Sequence, residues 1–221
     1  MLGAVSAELE GCRSALDVGA GFGALTLPLG RRLRHVTALE PSPAMAAALG
    51  RAVARAGIGN VTLVRARWGE TPLPVHDVVV CAHVGPLLDE ESPFFREAAA
   101  VAARAVIVVQ DVGGGDEKFF FDELYPALLG RPYERRRDPD APLRALAAIG
   151  VAPRVMTLEY RSDQPFATLD EACDFWMTYL RLESADARAF LRDFLVARLT
   201  RDAGGWRARF RKRVRVISWR T

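Results

Sequence analysis

The chain has 221 residues, half of them hydrophobic and 26% charged, with a net charge of +3. That is enough apolar sequence for one large α/β domain; it excludes a disordered chain, and no eighteen-residue apolar run without a charge marks a membrane span. Of the 30 lysines and arginines only Lys118 and Lys212 are lysines, a skew that points to GC-rich coding rather than to a nucleic-acid partner. The three cysteines, Cys12, Cys81 and Cys173, lie far apart without a CxxC pair, which speaks against a disulfide framework and against a zinc site, so no metal is expected. The N-terminus lacks a basic stretch followed by an apolar one, and a cytoplasmic location is expected.

In chain order, short β-rich runs alternate with amphipathic stretches. Ser14–Val18 reads as a strand ending in glycines, and Leu25–Leu33 as a helix. His35–Glu40 is a second strand, followed by an Ala-rich helix over Pro43–Ala56 with Ser42 as N-cap. Asn60–Arg65 is a third strand. Asp77–Ala82 and Ala105–Gln110 are continuous apolar runs, the pattern of central strands covered on both faces. Helices follow over Phe119–Leu129 and Pro142–Ile149, stopped by Gly130 and Gly150, then a strand over Pro153–Tyr160. Two more helices, Leu169–Leu182 and Ala185–Thr200, are capped by Thr168 and Ser184, and Val214–Trp219 is the final strand. The pattern predicts a doubly wound α/β fold on a mostly parallel sheet, in one domain over 1–221, with its core at 12–165 and 205–221 and a helical insertion at about 166–204.

The glycine cluster Gly19-Ala20-Gly21-Phe22-Gly23 follows the first strand and opens a helix. Glycines there permit a tight turn and let a ligand approach bare backbone. The cluster also reads as GxGxxA with Ala24, a form that a nicotinamide or flavin dinucleotide site accepts. Asp17 separates the two, because a carboxylate before the first glycine repels a pyrophosphate and attracts an ammonium group. Glu40, ending the second strand, is placed to accept hydrogen bonds from both hydroxyls of a ribose. A ligand with an amine, a ribose and no phosphate describes S-adenosyl-L-methionine better than NAD or ATP.

LDVGAGFG followed by ALEPS and by an apolar strand begun at Asp77 resembles the class I S-adenosylmethionine-dependent methyltransferases, over roughly residues 14–112. The resemblance implies a seven-stranded sheet whose last strand is antiparallel and inserts beside the fifth. It also implies contacts from Asp17, Gly19, Ala20 and Gly21 to the methionine end of the cofactor and from Glu40 to its ribose, with Pro41 and Met45 near the adenine. Many members carry an Asp after the third strand for the adenine amino group. Here the stretch is Arg65-Ala66-Arg67-Trp68-Gly69-Glu70, so the backbone of Arg67 and the ring of Trp68 are the candidates, and Trp68 can equally cap the sheet edge. Many relatives also have N-terminal helices over the substrate; about a dozen residues precede the first strand here, as in an open site or a shortened start.

Methyl transfer is an in-line displacement in which the protein chiefly positions a nucleophile, with a base where that nucleophile must lose a proton. His83, ending the fourth strand, is a candidate acid/base, a wall of the cofactor pocket or a structural histidine. Asp111, after the fifth strand, is a candidate partner in catalysis or a turn former before Gly113-Gly114-Gly115. His35 and His76 are expected at the surface. Three patterns that the family uses for particular acceptors are missing: an Asn or Asp with Pro-Pro and an aromatic residue, a Pro-Cys loop, and a magnesium-binding carboxylate set.

In the insertion, Phe175–Tyr179 and Phe190–Phe194 are i,i+4 pairs, which suit helix packing or the lining of an apolar acceptor pocket. Arg207, Arg209, Arg211, Arg213 and Arg215 alternate, as on one face of an extended strand. The expectation is an S-adenosylmethionine-dependent methyltransferase acting on a small molecule, monomeric or homodimeric and without a membrane partner. An RNA methyltransferase, a non-catalytic cofactor-binding regulatory subunit and, least, a nicotinamide dehydrogenase are the alternatives.

Overall fold

The computed structural model of the chain describes residues 2–112, 118–134 and 138–221. Its elements run β1 (Ser14–Val18), α1 (Thr26–Arg32), β2 (His35–Leu39), α2 (Pro43–Arg55), β3 (Val61–Val64), β4 (His76–Ala82), α3 (Phe94–Ala100) and β5 (Ala102–Asp111). They continue with α4 (Phe121–Leu129), α5 (Ala141–Ala148), β6 (Arg154–Arg161), β7 (Gln164–Phe166), α6 (Leu169–Leu180), α7 (Ala185–Arg198), β8 (Thr200–Asp202), β9 (Gly205–Ala208) and β10 (Arg211–Arg220). The chain forms two compact units, one of residues 2–112, 138–158 and 214–221, the other of 118–134 and 159–213.

The first unit is built on a seven-stranded sheet in the order β3-β2-β1-β4-β5-β10-β6. β1 to β5 pair in parallel and β10 runs antiparallel to β5, from Val214 opposite Asp111 to Arg220 opposite Ala105. This is the expected fold class. Valine-rich β4 and β5 sit at its centre, buried on both faces, and Phe94, Phe95, Leu146 and Trp219 pack over one of them. The crossover helix α3 was not anticipated; its Phe94-Phe95 and Ala98 repeat at helical spacing and are buried, and parallel neighbours require a crossover. Register brings Val18 level with Leu39 and Cys81, and Cys81 level with Val108. Gly19, Glu40, His83 and Asp111 therefore leave the sheet at the same end, the carboxyl ends of the parallel strands, where open α/β sheets bind ligands.

At the opposite end His76 corrects an expectation. It is buried rather than at the surface, 3% exposed. Its Nδ1–H donates to the Pro74 carbonyl at 2.7 Å, and its Nε2 accepts the Thr37 hydroxyl at 2.8 Å. A histidine with both nitrogens satisfied in neutral form can be buried, and that burial lowers its pKa. His35 remains exposed, as expected.

The second unit packs α4, α6 and α7 around Trp176, Leu124, Leu191 and Leu195. The Trp176 indole N–H donates to the Phe119 carbonyl at 2.8 Å. Thr168 and Ser184 cap their helices, each accepting an amide at 3.1 Å, from Glu171 and Ala187. The helical region expected at 166–204 lies inside this unit, together with a small antiparallel sheet, β7-β9-β8, that the sequence did not reveal. Phe175–Tyr179 and Phe190–Phe194 are ring contacts at 5.8 and 6.0 Å.

The five alternating arginines do not lie on one strand: β9 ends at Ala208 and β10 begins at Arg211, with Phe210 between them buried in the core of the second unit, and only Arg211, Arg213 and Arg215 share a face of β10. Arg207 pairs with Asp202 at 2.9 Å, Arg213 with Glu159 at 3.7 Å and Arg215 with Asp140 at 2.5 Å. Three of the five are thus ion-paired within the chain.

Candidate functional site

The loop leaving β1 is set by three left-handed glycines, Gly19, Gly21 and Gly23, with φ of 71°, 54° and 92°. They serve different ends. A Cβ on Gly19 would lie 2.2 Å from Val84 Cγ2, and one on Gly23 would lie 2.5 Å from Leu49 Cδ1. Those two glycines are required by packing. A Cβ on Gly21 would meet nothing nearer than the Gly19 carbonyl at 4.0 Å, so its bare backbone faces open space. The amides of Gly19 and Ala20 both donate to the Leu39 carbonyl, at 2.9 and 3.1 Å, which ties the loop to the end of β2.

Glu40 completes that tie. Its Oε2 accepts the Gly21 amide at 2.8 Å and its Oε1 accepts the Ser42 amide at 2.8 Å. Each carboxylate oxygen keeps a further lone pair for a ligand hydroxyl. Ser42 caps α2 through Met45 N–H at 3.4 Å. Exposed Pro41 and half-buried Met45 thus follow directly on Glu40.

Asp17 lies beneath the loop, 2% exposed, with its Oδ2 accepting the Thr26 hydroxyl at 2.6 Å. Burial pushes its pKa up to about 6; hydrogen bonds from the Thr26 side chain and backbone pull it down, and the Glu40 charge adds to the rise. Thr26, the first residue of α1, is a site residue that sequence inspection missed. Its signal was the hydroxyl at a helix start beside a buried acid.

His83 and Asp111 stand together, with Nδ1 to Oδ2 at 3.4 Å, an ion-pair distance rather than a short hydrogen bond. The His83 amide extends the ladder to β5 by donating to the Val109 carbonyl at 2.8 Å. Its backbone is left-handed at φ 60°, a conformation uncommon outside glycine that recurs at functional sites. That turn throws Val84 onto Gly19. Val84 is the second residue that sequence inspection missed, since nothing in a lone valine after a strand signals a contact 65 positions away (84 minus 19).

Arg67 and Trp68 are occupied locally. The Arg67 amide donates to Glu70 Oε2 at 2.7 Å, and its guanidinium lies 3.8 Å from Glu70 Oε1. The Trp68 indole donates to Glu97 Oε2 at 2.5 Å, and its ring meets Phe94 edge-on at 4.9 Å. Trp68 thus packs, partly buried, against the core.

Residues 15–104 match the family described as a methyltransferase domain. No curated protein matches the sequence. Among solved structures the chain is similar to a protein from Anaeromyxobacter dehalogenans assigned as a type II methyltransferase, at 21% identity over 100% of this chain and 96% of that one, with a TM-score of 0.61. It is also similar to magnesium protoporphyrin IX methyltransferase from Synechocystis PCC 6803, solved with bound SAH, at 15% identity, 97% and 77% coverage and TM-score 0.53. A third is precorrin-6y C5,15-methyltransferase from Geobacter metallireducens GS-15, at 13% identity, 99% and 86% coverage and TM-score 0.53. At such identities the likeness is one of fold.

Proposed function

We propose that the methyltransferase domain matched over residues 15–104 makes this chain a methyltransferase that takes its methyl group from S-adenosyl-L-methionine and passes it to a small-molecule acceptor. The observation that carries the proposal is the meeting of Glu40 with Gly21: an acid with lone pairs to spare stands against bare backbone that opens onto free space. That arrangement suits the two hydroxyls of a ribose beside a chain lying along the loop. Buried Asp17 adds a negative charge under the loop, which favours a cationic ligand and disfavours a pyrophosphate. When bound, S-adenosyl-L-methionine supplies an electrophilic methyl group on a sulfonium.

The chain's own residues do the rest. Gly19, Ala20, Gly21 and Glu40 would hold the cofactor, with Pro41 and Met45 as the residues on the adenine side. His83, with Nδ1 toward Asp111, presents Nε2 as the nitrogen that removes a proton from the acceptor, and Asp111 stabilises the imidazolium that results. That Arg207, Arg213 and Arg215 are ion-paired within the chain weighs against a basic strand serving RNA. Among the described residues no helix is long and apolar enough to cross a membrane, and three free cysteines suit a reducing, cytoplasmic setting.

The test is transfer of label from methyl-labelled S-adenosyl-L-methionine in the presence of a cell extract split into small-molecule, RNA and protein fractions. Label entering the small-molecule fraction, and lost with His83→Ala, is the expected result. Label entering only RNA or only protein overturns the proposed acceptor class.

A further inference from the structure

We infer that Val84 is a positioning residue that couples the glycine loop to the His83 imidazole. The inference rests on the cofactor reading above and extends it to a residue with no polar chemistry of its own.

Three observations converge on Val84. Its Cγ2 fills the space that a Cβ of Gly19 would take, 2.2 Å from that position. Gly19 cannot retreat, because its amide is fixed to the Leu39 carbonyl at 2.9 Å and the next amide to the same oxygen at 3.1 Å. Behind Val84 stands His83, held at φ 60° with its amide on Val109, and ahead of it the Leu87 amide donates to the Val84 carbonyl at 3.0 Å. Val84 itself has φ −96° and ψ 77°, outside helix and strand. The residue is thus clamped on both sides by backbone hydrogen bonds and pressed on the loop by a methyl group.

Close-packed contacts transmit displacement because a gap forfeits attraction and an overlap is resisted. A ligand that settles on the Gly19–Gly21 backbone loads this contact, and any displacement of the loop is passed to Val84. The neighbouring backbone on one side is the left-handed turn at His83, φ 60°, so displacement of Val84 acts on that turn. Movement there alters how the imidazole faces Asp111, so occupation of the loop sets the geometry of the proton-accepting pair. In the other direction, a change at His83 alters the fit of the loop.

The experiment follows the three histidines of the chain by NMR of ring-labelled protein while S-adenosylhomocysteine is added and pH is varied. In the wild type, S-adenosylhomocysteine is expected to move the His83 titration midpoint by about 0.3 unit or more, a roughly twofold change in proton affinity. In Val84→Ala, which removes the methyl contact and leaves a foldable chain, S-adenosylhomocysteine still binds but the His83 midpoint no longer responds. Val84→Thr, with the same β-branched shape, restores the response. Equal responses in the wild type and Val84→Ala overturn the coupling, as does a His83 signal unmoved in the bound wild type. Absence of any S-adenosylhomocysteine binding overturns instead the cofactor reading on which the coupling rests.

Discussion

Glu40 Oε2 accepts the Gly21 amide at 2.8 Å, which makes the acid at the end of β2 and the second glycine of the loop a single recognition element. Because Oε1 also accepts the Ser42 amide, Glu40 holds the start of α2 as well. Glu40→Ala is expected to weaken S-adenosylhomocysteine binding by about 1.5–3 kcal/mol, the scale of hydrogen bonds to a charged acceptor, and to destabilise the free protein by about 1–3 kcal/mol through the orphaned amides. Calorimetry and urea unfolding measure the two effects separately.

Gly19 and Gly21 are expected to part company on substitution. Gly19→Ala places a Cβ against Val84 Cγ2 and costs folding stability. Gly21→Ala meets no protein atom closer than 4.0 Å, so it costs only the left-handed penalty of about 1–2 kcal/mol, while its methyl enters the space that the ligand needs. A low melting temperature in the first variant and lost ligand affinity in the second are the outcomes to look for.

Asp17 gives the free protein a pH dependence of unusual sign for a carboxylate. Its folded pKa of about 6 lies above the ordinary 3.8, so the folded state holds a proton that the unfolded chain has released between about pH 4 and pH 6. Stability from this group is present below pH 4, falls as pH rises, and is gone above pH 6, with a span of about 3 kcal/mol. Asp17→Asn removes the slope. Urea unfolding of both proteins from pH 4.5 to 7 should show the wild type losing ground to the variant as pH increases.

The arginines predict little. Replacing Arg209, Arg211 and Arg213 by Ser is expected to leave S-adenosylhomocysteine affinity nearly unchanged. A genuine phosphate footprint would add about −0.9 per contact to the slope of log affinity against log salt. Filter binding with total RNA should return a shallow slope in both proteins.

Much of the fold of each unit was legible because its signals are local. Ser42, Thr168 and Ser184 each hold a helix start as their hydroxyls foretold, and the valine runs of β4 and β5 mark the buried centre of the sheet. What sequence could not supply was contact between distant positions. The Gly19–Val84 approach, the Asp17–Thr26 hydrogen bond and the His76 pairing with Thr37 depend on which strand lies beside which. The arginine alternation misled for a related reason. Period two shows where side chains would point in a continuous strand, but it does not show that the strand is interrupted between Ala208 and Arg211, where Phe210 is buried. Short strands such as Thr200–Asp202 carry too few residues for any period to emerge.

The most direct test of the central claim is calorimetric titration of the purified protein with S-adenosyl-L-methionine, S-adenosylhomocysteine, NAD and ATP under one set of conditions. The Glu40–Gly21 cradle over buried Asp17 predicts micromolar binding, about −8 kcal/mol, for the first two and none for the others. NAD binding in that range, with no heat from S-adenosyl-L-methionine or S-adenosylhomocysteine, would contradict the account.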